Sequence, residues 1–249
     1  MTTSTRKKPP TDLHSLQFYA TPEHGCSYLD NRLARTVFVD PKARIDLTAY
    51  STLSDLGFRR SGEHIYRPDC STCSACISVR IPVDLFRLSK SQRRILNRNK
   101  DLTISFVYPE ETDEYYRLYE RYIEARHDDG DMYPPSREQF RAFLIQGQQD
   151  SRFMEFRLDG HLIAICVVDQ LLQGLSAIYT FFDPVFAERS PGKMAILSLI
   201  GRAREQQLPY LYLGYWVRGC RKMDYKIAYR PIELLIDGHW AQLARSSLT

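Results

Sequence analysis

Hydrophobic and polar positions change period several times along the chain, and each change predicts an element. Residues 1–12 are polar and basic and read as a disordered lead. From Leu13 to about Val83 the apolar positions come in short runs broken by turn residues, the pattern of strands with tight connections. A polar, partly alternating stretch runs from Cys26 to Val39 and is ended by Asp40-Pro41. Residues 46–56 predict a short helix stopped by Gly57. Residues 58–66 and 79–83 predict strands, with a three-cysteine loop between them. Ser89 and Gln92 have the spacing of a capping box, which predicts a helix over 89–99. Residues 101–108 return to strand.

The second half alternates helix and strand. Tyr115, Tyr119 and Tyr122 recur at helical spacing and predict a helix over 112–125. A loop carrying Asp128-Asp129-Gly130-Asp131 and Pro134-Pro135 follows, then a short helix with Phe140, Phe143 and Leu144. Three strands are expected over 153–158, 162–171 and 176–182, the first two joined by an Asp159-Gly160 hairpin turn. A long helix over 192–205 and a short strand over 210–213 complete the pattern. The fold class expected is α+β followed by α/β, with an N-terminal unit over 1–105 that holds the cysteine loop and the basic helix, and a second, α/β unit over 106–249.

Length and composition are those of an ordinary globular enzyme: 249 residues, 43% hydrophobic and 26% charged. The formal net charge of +4 is too small to identify a nucleic-acid partner, so the distribution of charge has to decide. No segment has the length and apolarity of a membrane span, and the N-terminus lacks the apolar core of a secretory signal. A cytoplasmic protein without a membrane partner is expected, and in a reducing compartment the six cysteines do not predict disulfides.

Four constellations carry candidate chemistry. Lys90, Arg94 and Arg98 share one helix face and Arg93 adds to it, with no acid until Asp101; such a strip suits a phosphate backbone, the alternative being a solvated face. Cys70, Cys73 and Cys76 form a C-x-x-C-x-x-C run, to which Cys26 could add a fourth thiol. Four thiolates suit zinc or an iron–sulfur cluster, and the alternative is reduced thiols packed in a loop. Arg189 to Gly192 opens a helix after a strand, an arrangement whose free N–H groups attract anions and which N-acetyltransferase-like folds use for a pyrophosphate. Finally, aromatic and basic residues interleave from Tyr212 to Arg230, suggesting an anion site beside aromatic rings.

These motifs resemble the bacterial aspartate/glutamate leucyltransferases of the arginyl-tRNA–protein transferase family. The resemblance rests on Cys26-Ser-Tyr-Leu, Leu56-Gly-Phe-Arg-Arg-Ser-Gly, Tyr66-Arg-Pro-Asp-Cys-Ser-Thr-Cys-Ser-Ala-Cys, Val79-Arg-Ile-Pro-Val and Ser91-Gln-Arg-Arg. It continues through Phe182-Asp-Pro, Arg189-Ser-Pro-Gly, Tyr212-Leu-Gly-Tyr-Trp, Lys222-Met-Asp-Tyr-Lys and Tyr229-Arg-Pro, in matching order over almost the whole chain. Pro191 stands where the family more often has leucine, Ile77-Ser78 replaces a frequent proline-containing pair, and Leu29 stands where eukaryotic relatives linked to an iron–sulfur centre have a second early thiol.

The resemblance implies an N-terminal domain holding the cysteines and a C-terminal N-acetyltransferase-like (GNAT-like) domain. It also implies transfer of leucine from leucyl-tRNA to proteins beginning with Asp or Glu, marking them for degradation by the N-end rule. No cofactor is required, because the aminoacyl ester is already activated. On this reading Lys90, Arg93, Arg94 and Arg98, with Arg189 and Gly192, hold tRNA. Arg80, Lys226 and Arg230 meet the acceptor carboxylate, and Tyr179, Tyr215, Trp216 and Tyr229 shape the aminoacyl and adenosine pocket. Asp183 and Glu233 are candidates for a general base, Asp183 also reading as a turn residue before Pro184. The alternatives are an arginyltransferase, a coenzyme A-dependent N-acetyltransferase, and a non-enzymatic RNA-binding protein with a thiol-bound metal.

Overall fold

The computed structural model describes residues 11–130, 132–147 and 150–243, so most of the lead expected to be disordered, and Asp131 of the acidic loop, lie outside the described residues. Thr11 and Asp12 are ordered: the Thr11 N–H donates to Asp46 Oδ2 at 2.7 Å, and Asp12 caps a 3-10 turn over Leu13–Ser15.

In chain order the elements begin with β1 (Phe18–Ala20), β2 (His24–Gly25), β3 (Leu33–Ala34), β4 (Thr36–Val39), α1 (Leu47–Asp55), β5 (Arg59–Ser61), β6 (His64–Pro68), β7 (Cys76–Pro82), α2 (Lys90–Arg98) and β8 (Leu102–Val107). Then come α3 (Asp113–Arg126), α4 (Arg137–Phe140), β9 (Ser151–Leu158), β10 (His161–Leu171), β11 (Gly174–Phe182), α5 (Pro191–Glu205), β12 (Tyr210–Val217), β13 (Glu233–Ile236) and β14 (His239–Gln242). The 3-10 segments Pro184–Arg189 and Arg221–Ala228 flank α5 and β12 on their functional side.

Local signals account for most of these boundaries. Both halves of the α2 capping box form, with Ser89 N–H donating to Gln92 Oε1 at 2.8 Å and Gln92 N–H donating to Ser89 Oγ at 3.2 Å. Asp46 and Thr112 cap α1 and α3 in the same way. Asp159 and Gly160 both take positive φ, the turn expected between β9 and β10. The strand expected over 58–66 is instead two strands, β5 and β6. Gly62, at φ +58°, reverses the chain between them and packs so closely that a Cβ would come within 2.3 Å of Ala142 O.

β1, β4, β6 and β5 form a small antiparallel sheet in that order, backed by α1 around Tyr50, Leu53 and Phe58. The large sheet has eight strands in the order β14-β13-β7-β12-β11-β10-β9-β8. The sheet continues across residue 105. β7 is wedged between β13 and β12, and β8 pairs along β9, so strands from both halves of the chain share one hydrogen-bonded layer. α5 packs on one face over Met154, Val79 and Leu211, with α2 beside it; α3 packs on the other face over Phe153, Ile165 and Phe181.

The small sheet is bound to the large one by a buried ion pair. Arg60 Nε and Nη2 donate to the two oxygens of Asp169 at 2.6 and 2.7 Å, and Tyr50 OH and Ser151 Oγ donate to the same carboxylate.

Candidate functional site

β11 and β12 are the parallel pair of the large sheet, and their pairing is short. It runs from Gly174–Tyr210 to Ser176–Tyr212 and stops. Beyond that point β11 bulges at Val167/Val168 of its neighbour β10, and β12 is irregular between Tyr212 and Tyr215, where Gly214 takes φ +76°. The two strands therefore part at their C-terminal ends. α5 begins at that end, and the 3-10 segment Arg221–Ala228 lies against β12 there. In open sheets this is where ligands bind, because backbone groups released from pairing face a crevice.

The basic helix flanks this end. Lys90, Arg93 and Arg94 are exposed and make no internal ion pair among the described residues. Arg98 is exposed and donates to the Glu188 carbonyl, which ties the end of α2 to the segment before α5. Arg189 is not free for RNA as expected. It forks onto Asp101 with two bonds of 2.9 Å, which holds that carboxyl below its usual range, and it also donates to Arg98 O. It is a strut between α5 and α2. Gly192 is the second residue of α5; Lys193 and Met194 turn their N–H groups back to Ser190 O and Pro191 has none, so Gly192 N–H is the donor this helix start presents.

The acceptor trio separates. Arg80, from β7, is buried and filled by its own chain. Its Nε donates to Glu233 at 2.7 Å, its Nη1 to Asp55 at 3.1 Å, and it stacks on Tyr210 and Trp240 at 3.6 and 4.2 Å from the ring centroids. Arg80, expected at the acceptor carboxylate, and Glu233, expected as a base, are thus paired with each other. Asp183 is likewise occupied: Oδ1 caps Val185 N–H and Oδ2 pairs with Arg121 at 2.9 Å, the turn role weighed for it. Arg230 donates to Leu243 O at 3.0 Å.

Lys226 has a different environment. It is 7% exposed, its Nζ donates to Tyr215 O at 2.6 Å, and a Cβ on Gly214 would lie 3.7 Å from it. Burial, then the Arg59 guanidinium, press its pKa from the ordinary 10.5 to about 8, with the Cys220 thiol opposing. An ammonium with no carboxylate beside it among the described residues is thus held where the β11–β12 strands part.

The expected aromatic pocket is mostly core. β12 runs to Val217, four residues beyond the strand expected over 210–213, so the ring-rich stretch is pleated strand rather than loop. Tyr215 is buried with its hydroxyl on Gly57 O at 2.7 Å, Trp216 is buried with its N–H on Asp224 at 3.1 Å, and Tyr229 is buried against Phe86. Tyr179 alone of the four stays half-buried. It lies on β11 past the last residue paired with β12, its ring 5.1 Å from Phe143 and its hydroxyl 3.6 Å from Met132 Sδ.

The thiols do not form a metal centre as they stand. Among the described residues no three His, Cys, Asp or Glu side chains are placed to hold one ion. Cys76 is pushed up to about 11 by burial, with the Cys26, Cys70 and Cys73 thiols adding to it, and Cys70 donates to Arg35 O. All four of these thiols are half-buried. Cys26, Cys70, Cys73 and Cys76 are free thiols in this arrangement.

Arg59 and Arg60 stand side by side in the Leu56-to-Gly62 motif, and among the described residues only Arg60 pairs with a carboxylate, that of Asp169. No local signal separates Arg59 from Arg60; only their long-range partners do.

Comparison with known proteins agrees with this layout. Residues 24–94 match the family described as arginine-tRNA-protein transferase, N terminus, and residues 114–236 match its C terminus. An aspartate/glutamate leucyltransferase of Hahella chejuensis is 56% identical over 92% of this chain and 98% of its own length. One of Pseudomonas fluorescens is 54% identical over 94% of this chain and 99% of its own. Likeness to solved structures is loose: FemX shares 9% identity at a TM-score of 0.45 over 82% of this chain and 81% of its own. Matched across both halves and along nearly its full length, the chain belongs to the arginine-tRNA-protein transferase family, among relatives that are aspartate/glutamate leucyltransferases.

Proposed function

We infer that this enzyme transfers leucine from leucyl-tRNA to the N-terminal amine of proteins that begin with Asp or Glu, and that the new N-terminal leucine marks them for degradation. The observation that carries this reading is the crevice where β11 and β12 part, with a basic helix on one side and the buried Lys226 ammonium at its wall. The helix start after β11 and the splayed parallel pair are what an N-acetyltransferase-like domain would contain, and here they serve an aminoacyl rather than an acetyl donor.

Lys90, Arg93, Arg94 and Arg98 follow the phosphates of the acceptor arm, and Gly192 N–H meets the 3′ end. Tyr179, Phe143 and Met132 give an apolar wall suited to a leucyl side chain. Asp183 and Glu233 are both paired with arginines, so neither is left to hold the guanidinium of an arginyl donor.

The acceptor amine attacks the ester carbonyl, the new C–N bond forms, and the C–O bond to the ribose breaks. The amine's proton passes to solvent, and the ribose oxygen leaves as a hydroxyl after taking up a proton. An α-amine has a pKa of about 7.7–8.0, so a useful fraction is already unprotonated near neutrality. What remains for the enzyme is alignment, which supplies on the order of 7–11 kcal/mol of the barrier in well-oriented reactions. No helix among the described residues is long and apolar enough to cross a membrane.

The test is transfer of labelled leucine from leucyl-tRNA to peptides beginning with Asp, Glu, Lys or Ala, beside the same peptides with arginyl-tRNA. Label should enter the Asp and Glu peptides from leucyl-tRNA. Label entering none of them, or entering only from arginyl-tRNA, overturns the reading.

A further inference from the structure

Arg59 and Arg60 are neighbours on β5, and the contrast between them is informative. Arg60 uses its Nε–Nη2 edge to fork onto Asp169 with two bonds. Arg59 is 6% exposed, and its Nη1 is anchored on Ser54 O at 2.9 Å and Phe58 O at 2.6 Å. Among the described residues no acceptor meets the other edge, Nε and Nη2, although both atoms are buried. That edge presents two parallel N–H donors, the spacing that matches two oxygens of one carboxylate.

The position of this edge is equally specific. The Arg59 guanidinium lies 5.6 and 5.7 Å from the ring centroids of Tyr212 and Tyr215, the two residues that bracket the irregular turn of β12. Lys226 Nζ reaches the same turn at Tyr215 O and Gly214. Arg59 acts on the Lys226 charge, and no carboxylate acts on it. Two buried cations thus converge where β11 and β12 stop pairing, without an acidic partner among the described residues. Buried charges are kept where something compensates them.

We propose that Arg59 Nε and Nη2 bind the side-chain carboxylate of the acceptor's first residue, with the Lys226 ammonium as the second cation. The proposal deepens the acceptor side of the function above and rests on that reading for the identity of the anion. A carboxylate is favoured over a tRNA phosphate because the donor pair is planar, recessed and held between aromatic rings, whereas the exposed cations for the nucleic-acid backbone lie on α2. The Asp or Glu side chain is short, so its capture would place the adjacent α-amine at the crevice.

The experiment has two arms. In the first, R59Q and R59K are assayed with peptides beginning with Asp, Asn and Ala, beside leucyl-tRNA binding measured by filter retention. R59Q should lower kcat/KM for the Asp peptide at least about a hundred-fold, mainly through KM, and abolish its preference over the Asn peptide. R59K should restore part of the preference, because it keeps the charge and loses the fork. Leucyl-tRNA binding should stay within about two-fold. A preserved Asp-over-Asn preference in R59Q, or a loss of tRNA affinity parallel to the loss of transfer, overturns the proposal; the second result would assign the edge to RNA.

The second arm needs no variant that must fold. The 15Nε resonance of Arg59 in the intact protein is followed while an Asp-initiated peptide, then its Asn counterpart, is added. A saturable shift with the Asp peptide alone supports the assignment. No shift at saturating peptide, or equal shifts with both, refutes it. Since this arm reads binding without transfer, failure of leucyl transfer and failure of the Arg59 assignment give different results.

Discussion

Lys226→Met offers a direct measure of what a buried ammonium does to the fold. In the wild type the ammonium is buried with no carboxylate nearby, and its pKa falls from 10.5 to about 8. That difference corresponds to about 3 kcal/mol of destabilisation at neutral pH. Methionine has a similar length and no charge. Its gain is reduced by leaving Tyr215 O without its 2.6 Å donor, a loss of about 1 kcal/mol. The variant should therefore be more stable than wild type by about 2 kcal/mol at pH 7. The sign with pH follows from linkage. Between about 8 and 10.5 the unfolded chain binds the proton that the native Lys226 has released, so wild-type stability rises with pH across that window and the advantage of Lys226→Met shrinks. Urea unfolding at pH 7 and at pH 10 measures both quantities. A variant less stable than wild type at pH 7, or a difference that does not change with pH, would refute the description of Lys226 as an uncompensated buried cation. Leucyl transfer to Asp and Glu peptides should fall in the same variant, so that stability and activity move in opposite directions.

Replacing Lys90, Arg93 and Arg94 together by Ala should leave the urea midpoint within experimental error and reduce the salt dependence of tRNA binding, the slope of log K against log salt falling by about 2–3. Asp169→Asn leaves the Arg60 guanidinium buried without its counter-charge and should lower stability by about 3–5 kcal/mol, read by urea unfolding. Gly174→Ala places a Cβ 2.4 Å from Tyr210 O, in the short parallel pairing of β11 with β12; it should lower the melting temperature and impair transfer together, whereas Gly192→Ala, whose Cβ meets nothing within 4 Å, should leave the melting temperature unchanged.

Arg80 and Arg59 show where the reach of sequence reading ended. Both are arginines in strand-like text, and by composition Arg80 looks the better candidate for an acceptor contact. Its partners, however, are Asp55 and Glu233, 25 and 153 positions away, and no local pattern announces them. Tyr215 and Trp216 changed role for a related reason. Once β12 continues to Val217, alternate rings are driven into the two faces of the sheet, and what reads as an interleaved surface becomes core.

By itself the sequence determined the features that depend on neighbours within a few residues: the capping box of α2, the Asp159-Gly160 turn, the tyrosine stripe of α3, the exposed cations of the basic helix and the motifs that place the chain in its family. The Asp237-Gly238 turn between β13 and β14 follows the same rule, both residues taking positive φ. The tertiary structure alone decided that strands from both halves of the chain share one sheet, where β11 and β12 part, and which charges are already paired. The physical reason is range. Capping and periodicity are set within one or two turns of backbone, whereas a charge is neutralised by whatever the fold brings within a few ångströms, and that contact has no counterpart in sequence distance.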